Sequence, residues 1–300
     1  MSSQLADVDV VIVNYNAGTA LLQSVASGFV AGAAGVIVVD NQSTDGSLEP
    51  LERAGWGEKL RVVRNGRNLG FAAACNIGAR LSTARRLLFL NPDSVLAPDA
   101  LTRMARVLDS SEAIGMVGGL LCNPDGSEQR GGRRRFPTPR RALLRAFGLT
   151  ALARRLPDAD FTLHEQPLPS GPGPVEAISG ACMLVRREAM EDVGPWDEGY
   201  FLHCEDLDWC MRFHQRGWQV MFVPEARITH LQGTSSRGRP VFVEWHKHRG
   251  MLRFYRKFFR QQYSALLWPL VVLSVWLRFL SVAGYLTMRR LLPRAGERRG

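Results

Sequence analysis

Carboxylates and amides in this chain gather where apolar runs end. Asn14-Tyr15-Asn16 follows VDVVIV (residues 8–13), Asp40-Asn41 follows GVIVV (35–39), and Asn91-Pro92-Asp93 follows RLLFL (86–90). Further on, Glu205 and Asp206 stand side by side where a helix is predicted to begin. His230 closes an apolar stretch in a His-x-x-Gly-x-Ser pattern with Gly233 and Ser235. Carboxylate oxygens can hold a hard divalent cation, and a carboxylate can take a proton from an attacking hydroxyl. A helix N-terminus favours the ionised carboxylate, which suits a proton acceptor and equally suits a helix cap. A turn at Asn-Pro-Asp and a structural histidine are the plain alternatives at the other two places.

The elements that must position these groups follow from the pattern. Short β-branched runs without alternation suit strands buried on both faces, as in a parallel sheet. Helical spacing appears at 19–31 (Leu21, Leu22, Val25, Phe29), in the Ala-rich stretch 70–84, and at 98–109 behind Pro98 (Leu101, Met104, Ala105, Leu108). Alternating strands and helices predict right-handed βαβ units, whose ligands sit beyond the carboxyl ends of the strands. All three polar clusters fall at such ends. A strand from 116 runs into the turn Asn-Pro-Asp-Gly (123–126), and the Arg/Pro/Gly-rich stretch 130–174 reads as a long excursion outside the core. Order resumes with VEAISGACMLVR (175–186), a helix from Glu205 that stops at Gly217, and strands at 219–223 and 226–230.

Composition sets limits. The chain has 300 residues, 46% hydrophobic and 22% charged, which excludes wholesale disorder. Its formal charge of +10 is uneven, with nine Arg and no acid in residues 129–157 and twelve basic residues against one acid in 245–300. The remainder carries 17 basic and 27 acidic residues, a balance of −10, which is not the signature of a nucleic-acid binder. Five cysteines without a C-x-x-C pair fit a reducing compartment, and no signal-peptide pattern opens the chain, so the body is expected to be cytoplasmic.

Taken in order, VVIVNYN, VVDNQSTDGS, NLGFAAACNIG, FLNPD, the GPWDEGYF–EDLDWC block and ITHLQGTSS resemble the inverting GT-A glycosyltransferases of family 2, and among them the rhamnosyltransferase-like branch. The resemblance spans roughly residues 8–260, weakly over 130–174. It implies an α/β fold with a mostly parallel central sheet and flanking helices over residues 1–240, then a C-terminal helical extension over 241–300. It implies a hexosyl transfer from a nucleotide sugar, most readily L-rhamnose from dTDP-rhamnose, with UDP-galactofuranose or UDP-N-acetylhexosamine as alternatives. Asp93 takes the place of the family's D-x-D metal motif, whose first position is Asn91 here. His230 would help hold a Mg2+ or Mn2+ ion or touch the diphosphate. Asp206 matches the general base, and Glu205 would orient the acceptor. Asp40 would accept from a pyrimidine N3–H with Tyr15 flanking the base, while Asn68, Gly70 and Asn76 would approach the ribose or diphosphate.

The same branch acts on polyprenyl-diphosphate-linked glycans at the inner membrane face. The resemblance thus implies that the basic-aromatic C-terminus holds the enzyme at an anionic membrane surface, and that the Arg-rich segment Arg130–Arg145 meets the acceptor diphosphate or anionic lipid. Residues 241–260 interleave aromatic and basic residues, and 264–288 are apolar except for Arg278. An interfacial anchor fits this pattern better than a clear span, since a mid-membrane Arg costs roughly 2.5–3.5 kcal/mol. A helix pair packed on the body or on a second subunit is the alternative. A nucleotidyltransferase would place a Gly-rich phosphate loop where Asn14-Tyr15-Asn16 stands, and a non-enzymatic basic binder would need only the Arg tracts.

Overall fold

The computed structural model describes residues 7–139, 141, 163–231, 238–262 and 267–291. Its centre is a nine-stranded sheet. Strands β1 (Val8–Asn14), β2 (Gly35–Asp40), β3 (Leu60–Arg64) and β4 (Arg86–Leu90) form a parallel half in the order β3-β2-β1-β4. The other half holds β5 (Ser94–Leu96), β6 (Ile114–Cys122), β8 (Gly173–Pro174), β10 (Cys182–Arg186) and β11 (Gln219–His230). The sheet is mixed rather than uniformly parallel, because β10 runs antiparallel to both β4 and β6. Two short strands, β7 (Arg133–Arg134) and β9 (Ala177–Ile178), pair beside it.

Alternate residues of β1 explain why the run is apolar from Val10 to Val13, after the half-buried Asp9. Val10 and Ile12 pack with Leu21 and Val25 of α1 (Ala20–Val30) and with Leu101 and Met104 of α4 (Ala100–Asp109). Val11 and Val13 face the opposite layer, built from α3 (Phe71–Leu81), α6 (Glu205–Gln215) and α7 (Pro240–Phe258). The small helices α2 (Glu49–Arg53) and α5 (Arg187–Val193) complete the shell. Both sheet faces are therefore covered, as a strand apolar on both sides demands.

Three expectations are corrected. The strands read at 219–223 and 226–230 are one strand, β11, with a bulge between Val223 and Arg227. The excursion 130–174 is built into the body at both its ends. Arg133 is buried in an ion pair with Glu128 at 2.7 Å, and Phe136 packs against Phe254 and His214. Residues 142–162, which include Arg145, lie outside the described residues, as do Gly233 and Ser235.

The third correction concerns the tail. The C-terminal half of α7 belongs to the body, with Phe254 and Tyr255, and Phe259 just after the helix, buried in the main core, whereas Phe242 and Trp245 in its first turns are exposed. Two of its cations are tied to the body: Arg253 and Lys257 pair with Asp197, each at 2.8 Å, and Lys257 also pairs with Asp208 at 2.7 Å. Helix α8 (Leu267–Leu291) packs on α7 through Trp276 and Phe279 against Trp245. Within Leu267–Arg289 an 18-residue window has a mean hydropathy of 1.7, and the helix is long and apolar enough to cross a bilayer, with little of that window buried. Leu270, Leu273, Leu277 and Leu280 recur at helical spacing and are each more than half exposed, from 54% to 62%.

Candidate active site

A single cleft of about 980 Å³ opens beyond the carboxyl ends of β1 and β4. Tyr15, Asn68, Gly70, Asp93, Glu205, Asp206 and His230 all line it. Seven of the nine residues singled out from sequence thus share one wall-to-wall space, though they come from segments as far apart as residues 15 and 230.

Asp93 and His230 meet because of strand register. β5 and β11 run antiparallel with Ser94 opposite His230, and the Leu231 N–H donates to the Asp93 carbonyl at 2.9 Å. This brings His230 Nε2 to 3.1 Å from Asp93 Oδ1. Gln129 fixes the imidazole. Its amide nitrogen donates to the His230 carbonyl at 3.0 Å and to Asn123 Oδ1 at 3.2 Å, so its oxygen faces His230 Nδ1 at 2.6 Å and must accept. The ring proton of a neutral His230 therefore sits on Nδ1, leaving the Nε2 lone pair toward Asp93 and toward the Asn91 amide nitrogen at 3.3 Å. A lone pair against a carboxylate oxygen is repulsive unless a proton or cation lies between them. One carboxylate and one imidazole with its second nitrogen anchored are donors a divalent ion could use, though among the described residues no group of three His, Cys, Asp or Glu surrounds the place.

The acid pair is set by a strained turn. His203 and Cys204 adopt left-handed backbone angles (φ 68° and 71°) immediately before α6. Such angles cost about 1–3 kcal/mol each outside glycine, a cost borne where geometry is over-determined. α7 seats on this turn: a Cβ at Gly250 would stand 2.8 Å from the His203 carbonyl oxygen, so a larger residue would push the helix away. Gly70 is constrained in the same region, with φ 87° and room for a Cβ blocked at 2.7 Å by the Phe201 carbonyl.

Asp206 and Glu205 are neighbours in opposite electrostatic states. Asp206 Oδ2 accepts from Arg134 Nη2 at 2.5 Å and from the Gly180 N–H at 3.0 Å, and Oδ1 accepts from the Leu207 N–H at 2.8 Å. Burial alone would raise its pKa, but Arg134 and these donors outweigh burial and hold the carboxyl below its ordinary value. Glu205 has no such support. Its Oε2 is buried without a hydrogen-bond partner, and burial together with the Asp206 charge pushes the carboxyl up to about 8. At neutral pH the pair is thus one anion beside one neutral acid.

The segment Ser179-Gly180-Ala181 joins the two centres. Gly180 donates to Asp206, and the Ala181 carbonyl accepts from the Asn91 N–H at 3.0 Å.

Two of the nine residues are not among those that line the cleft. Asp40 is 2% exposed and does not line the cleft. Its oxygens accept from Asn14 Nδ2 at 2.8 Å and from the Ser43 hydroxyl and N–H, so its visible role is to pin the loop after β2 to β1. Asn76 is also buried. Its amide donates to the Trp196 carbonyl and Glu198 and accepts from the Trp196 N–H, clamping α3 to the segment before α6. Asn14 donates its amide to Asp40, Ser43 and Ser47.

Sequence reasoning missed Arg134 and Gln129. Nothing distinguishes Arg134 from its Arg neighbours until β7 pairs with β9 and turns it onto Asp206. Gln129 carries no signal of its own.

Known proteins resemble this chain in sequence and in fold. The model of "Glycosyl transferase family 2" matches residues 9–194, and that of "Glycosyl transferase family group 2" matches 155–292. An N-acetylglucosaminyl-diphospho-decaprenol L-rhamnosyltransferase of Mycobacterium tuberculosis is 29% identical over 249 residues, 77% of this chain and 78% of that protein. The dTDP-rhamnosyl transferase RfbF of Shigella flexneri is 26% identical, covering 77% of this chain and 71% of its own. Among solved structures, a mannosyltransferase from Pyrobaculum calidifontis in complex with GDP-Man and Mn2+ superposes with a TM-score of 0.59 at 16% identity, over 93% of this chain and 75% of that one. GalNAc-T7 with UDP, GalNAc and Mn2+ gives 0.60 at 19% identity over 85% of this chain, which spans about half (48%) of that structure. These likenesses establish the GT-A fold. The chain belongs to glycosyltransferase family 2, as a rhamnosyltransferase-like member.

Proposed function

We propose that the protein transfers L-rhamnose from dTDP-rhamnose, with inversion, to a hydroxyl of a lipid-linked glycan at the membrane surface. The observation that carries the chemistry is the shared cleft, with the Asp93–His230 pair at one end of the Ser179–Ala181 bridge and an ionised Asp206 at the other. The names of the relatives support the donor and the acceptor class.

In this reading Tyr15 flanks the nucleobase, and Asn68 and Gly70 approach the ribose or diphosphate. Asp93 and His230 would hold a Mg2+ or Mn2+ ion, which supplies Lewis-acid stabilisation of the charge that grows on the leaving diphosphate. Asp206 receives the proton of the acceptor hydroxyl as that oxygen attacks the anomeric carbon from the face opposite the leaving group. Arg134 keeps Asp206 ionised and fixes its rotamer. Glu205, neutral at pH 7, offers a hydrogen bond that orients the acceptor without adding a second charge. The bare leucine face of α8 supports association with the membrane.

A thermal-shift panel of dTDP-rhamnose, UDP-galactofuranose, UDP-N-acetylglucosamine and GDP-mannose, with and without Mn2+, tests the donor assignment. The reading expects the largest stabilisation from dTDP-rhamnose with Mn2+, since ligand binding stabilises the native state by mass action. Preference for another sugar nucleotide overturns the donor. No response to any of the four overturns the site.

A further inference from the structure

Five described cations line the cleft. Arg134 is committed to Asp206, but Arg130, Arg239, Lys247 and Arg278 also line the space. Among the described residues no carboxylate pairs with Arg130, Arg239 or Arg278, and Lys247 reaches only the half-exposed contact with Glu244 on its own helix at 3.1 Å.

Lys247 and Arg278 are exposed cations that border the cleft, and both lie close enough to His248 to act on its charge. The Lys247 carbonyl receives the Cys204 Sγ–H at 3.8 Å, which stations Lys247 beside the turn that carries Glu205 and Asp206. The His248 ring meets Phe279 edgewise at 5.6 Å, and the Arg278 charge acts on His248 from the same helix as Phe279. Arg278 is the lone charge between Leu267 and Met288, a stretch otherwise apolar enough for a bilayer. Its neighbours Leu277 and Leu280 are 54% and 62% exposed. An unneutralised cation is thus set where an outward apolar helix face borders the cleft.

We infer that Arg278 and Lys247 form a subsite for the diphosphate of an isoprenoid-diphosphate acceptor, whose apolar chain leaves along the leucine face of α8. The inference rests on the transferase reading for the word acceptor, and on the placement of charge for the rest. Guanidinium and ammonium groups recognise phosphate oxygens through charge-assisted hydrogen bonds. The diphosphate held here is separate from the donor's, which belongs to Asp93 and His230.

The test is binding, not turnover. Full-length wild type, Arg278→Gln, Lys247→Gln, the double variant and Arg278→Lys are titrated in neutral detergent micelles with farnesyl diphosphate, farnesol, dTDP and phosphatidylglycerol. Loss of each cation is expected to weaken farnesyl diphosphate by about tenfold, with partial recovery in Arg278→Lys and no change for farnesol or dTDP. Three results overturn the subsite: equal binding of farnesyl diphosphate by all variants, an equal loss for phosphatidylglycerol, or an equal loss for dTDP. The first denies the contact, the second makes the cluster a general anionic-lipid surface, and the third assigns the cations to the donor. An enzyme that binds farnesyl diphosphate as expected yet fails to transfer rhamnose would refute the donor assignment and leave the subsite standing.

Discussion

Arg134 and Asp206 lie 72 positions apart in sequence and share a 2.5 Å hydrogen bond at the edge of the cleft. The pair decides the protonation state of the proposed base. Arg134→Gln removes the strongest influence holding Asp206 ionised against the pull of burial. The acid limb of the kcat profile is expected to move to higher pH, because the base is lost as pH falls through its pKa. Arg134→Lys should move it back. An unshifted acid limb in Arg134→Gln would detach this arginine from the base.

Glu205 shifts the other way. Its folded-state pKa, about 8, lies above the ordinary carboxylate value, so the native state holds a proton that the unfolded state releases between those limits. This contributes a loss of stability as pH rises from roughly 4.5 toward 8. Glu205→Gln keeps the neutral shape and removes the titration. Its melting temperature relative to wild type should therefore rise by several degrees between pH 5 and pH 8. A constant difference across that window would mean that Glu205 is ionised throughout.

Gln129 offers a test of the cation site that leaves the ligands intact. Gln129→Leu frees His230 Nδ1 from its acceptor, and loss of an outer-shell partner weakens metal affinity by about 10–100-fold. Mn2+ titration followed by electron paramagnetic resonance reads this directly. Asp93→Asn should weaken binding at least as far, and wild type should lose transfer in excess chelator. Tight Mn2+ binding by Asp93→Asn would place the ion elsewhere.

The leucine face of α8 predicts a separable membrane function. Leu273→Glu, Leu277→Glu and Leu280→Glu together alter exposed positions, so the melting temperature should stay near wild type while sedimentation with anionic vesicles falls sharply. Deleting α8 is a poorer experiment, because Val271 is 7% exposed within the main core and its loss disturbs the body. Undiminished sedimentation of the triple variant would move the contact to another surface.

Much of this architecture was legible because both-face burial writes an unbroken apolar run, and a polar cluster at its end marks the cleft. VDVVIV, GVIVV and RLLFL became β1, β2 and β4, and α4 buries Leu101, Met104, Ala105 and Leu108 at the positions its periodicity required. The strands LRVVR and SVL stayed hidden. β3 lies at the sheet edge, where half-exposed positions leave no unbroken run, and β5 has only three residues. Missing β5 meant missing the register that brings His230 to Asp93. The Arg-rich excursion misled for a different reason, since a buried arginine that pairs within the fold looks in sequence like one in solvent. Asp40 and Asn76 have the residue types of a binding site, and their side chains instead hold the loops around one.

The account turns on Asp206 as the proton acceptor, and single-turnover transfer by Asp206→Asn measures this most directly. With dTDP-rhamnose and a lipid-linked acceptor, the rate is expected to fall by about 10²-fold or more while the donor dissociation constant is unchanged. Transfer within about twofold of wild type would contradict it, because general-base catalysis cannot survive the loss of its base at that level.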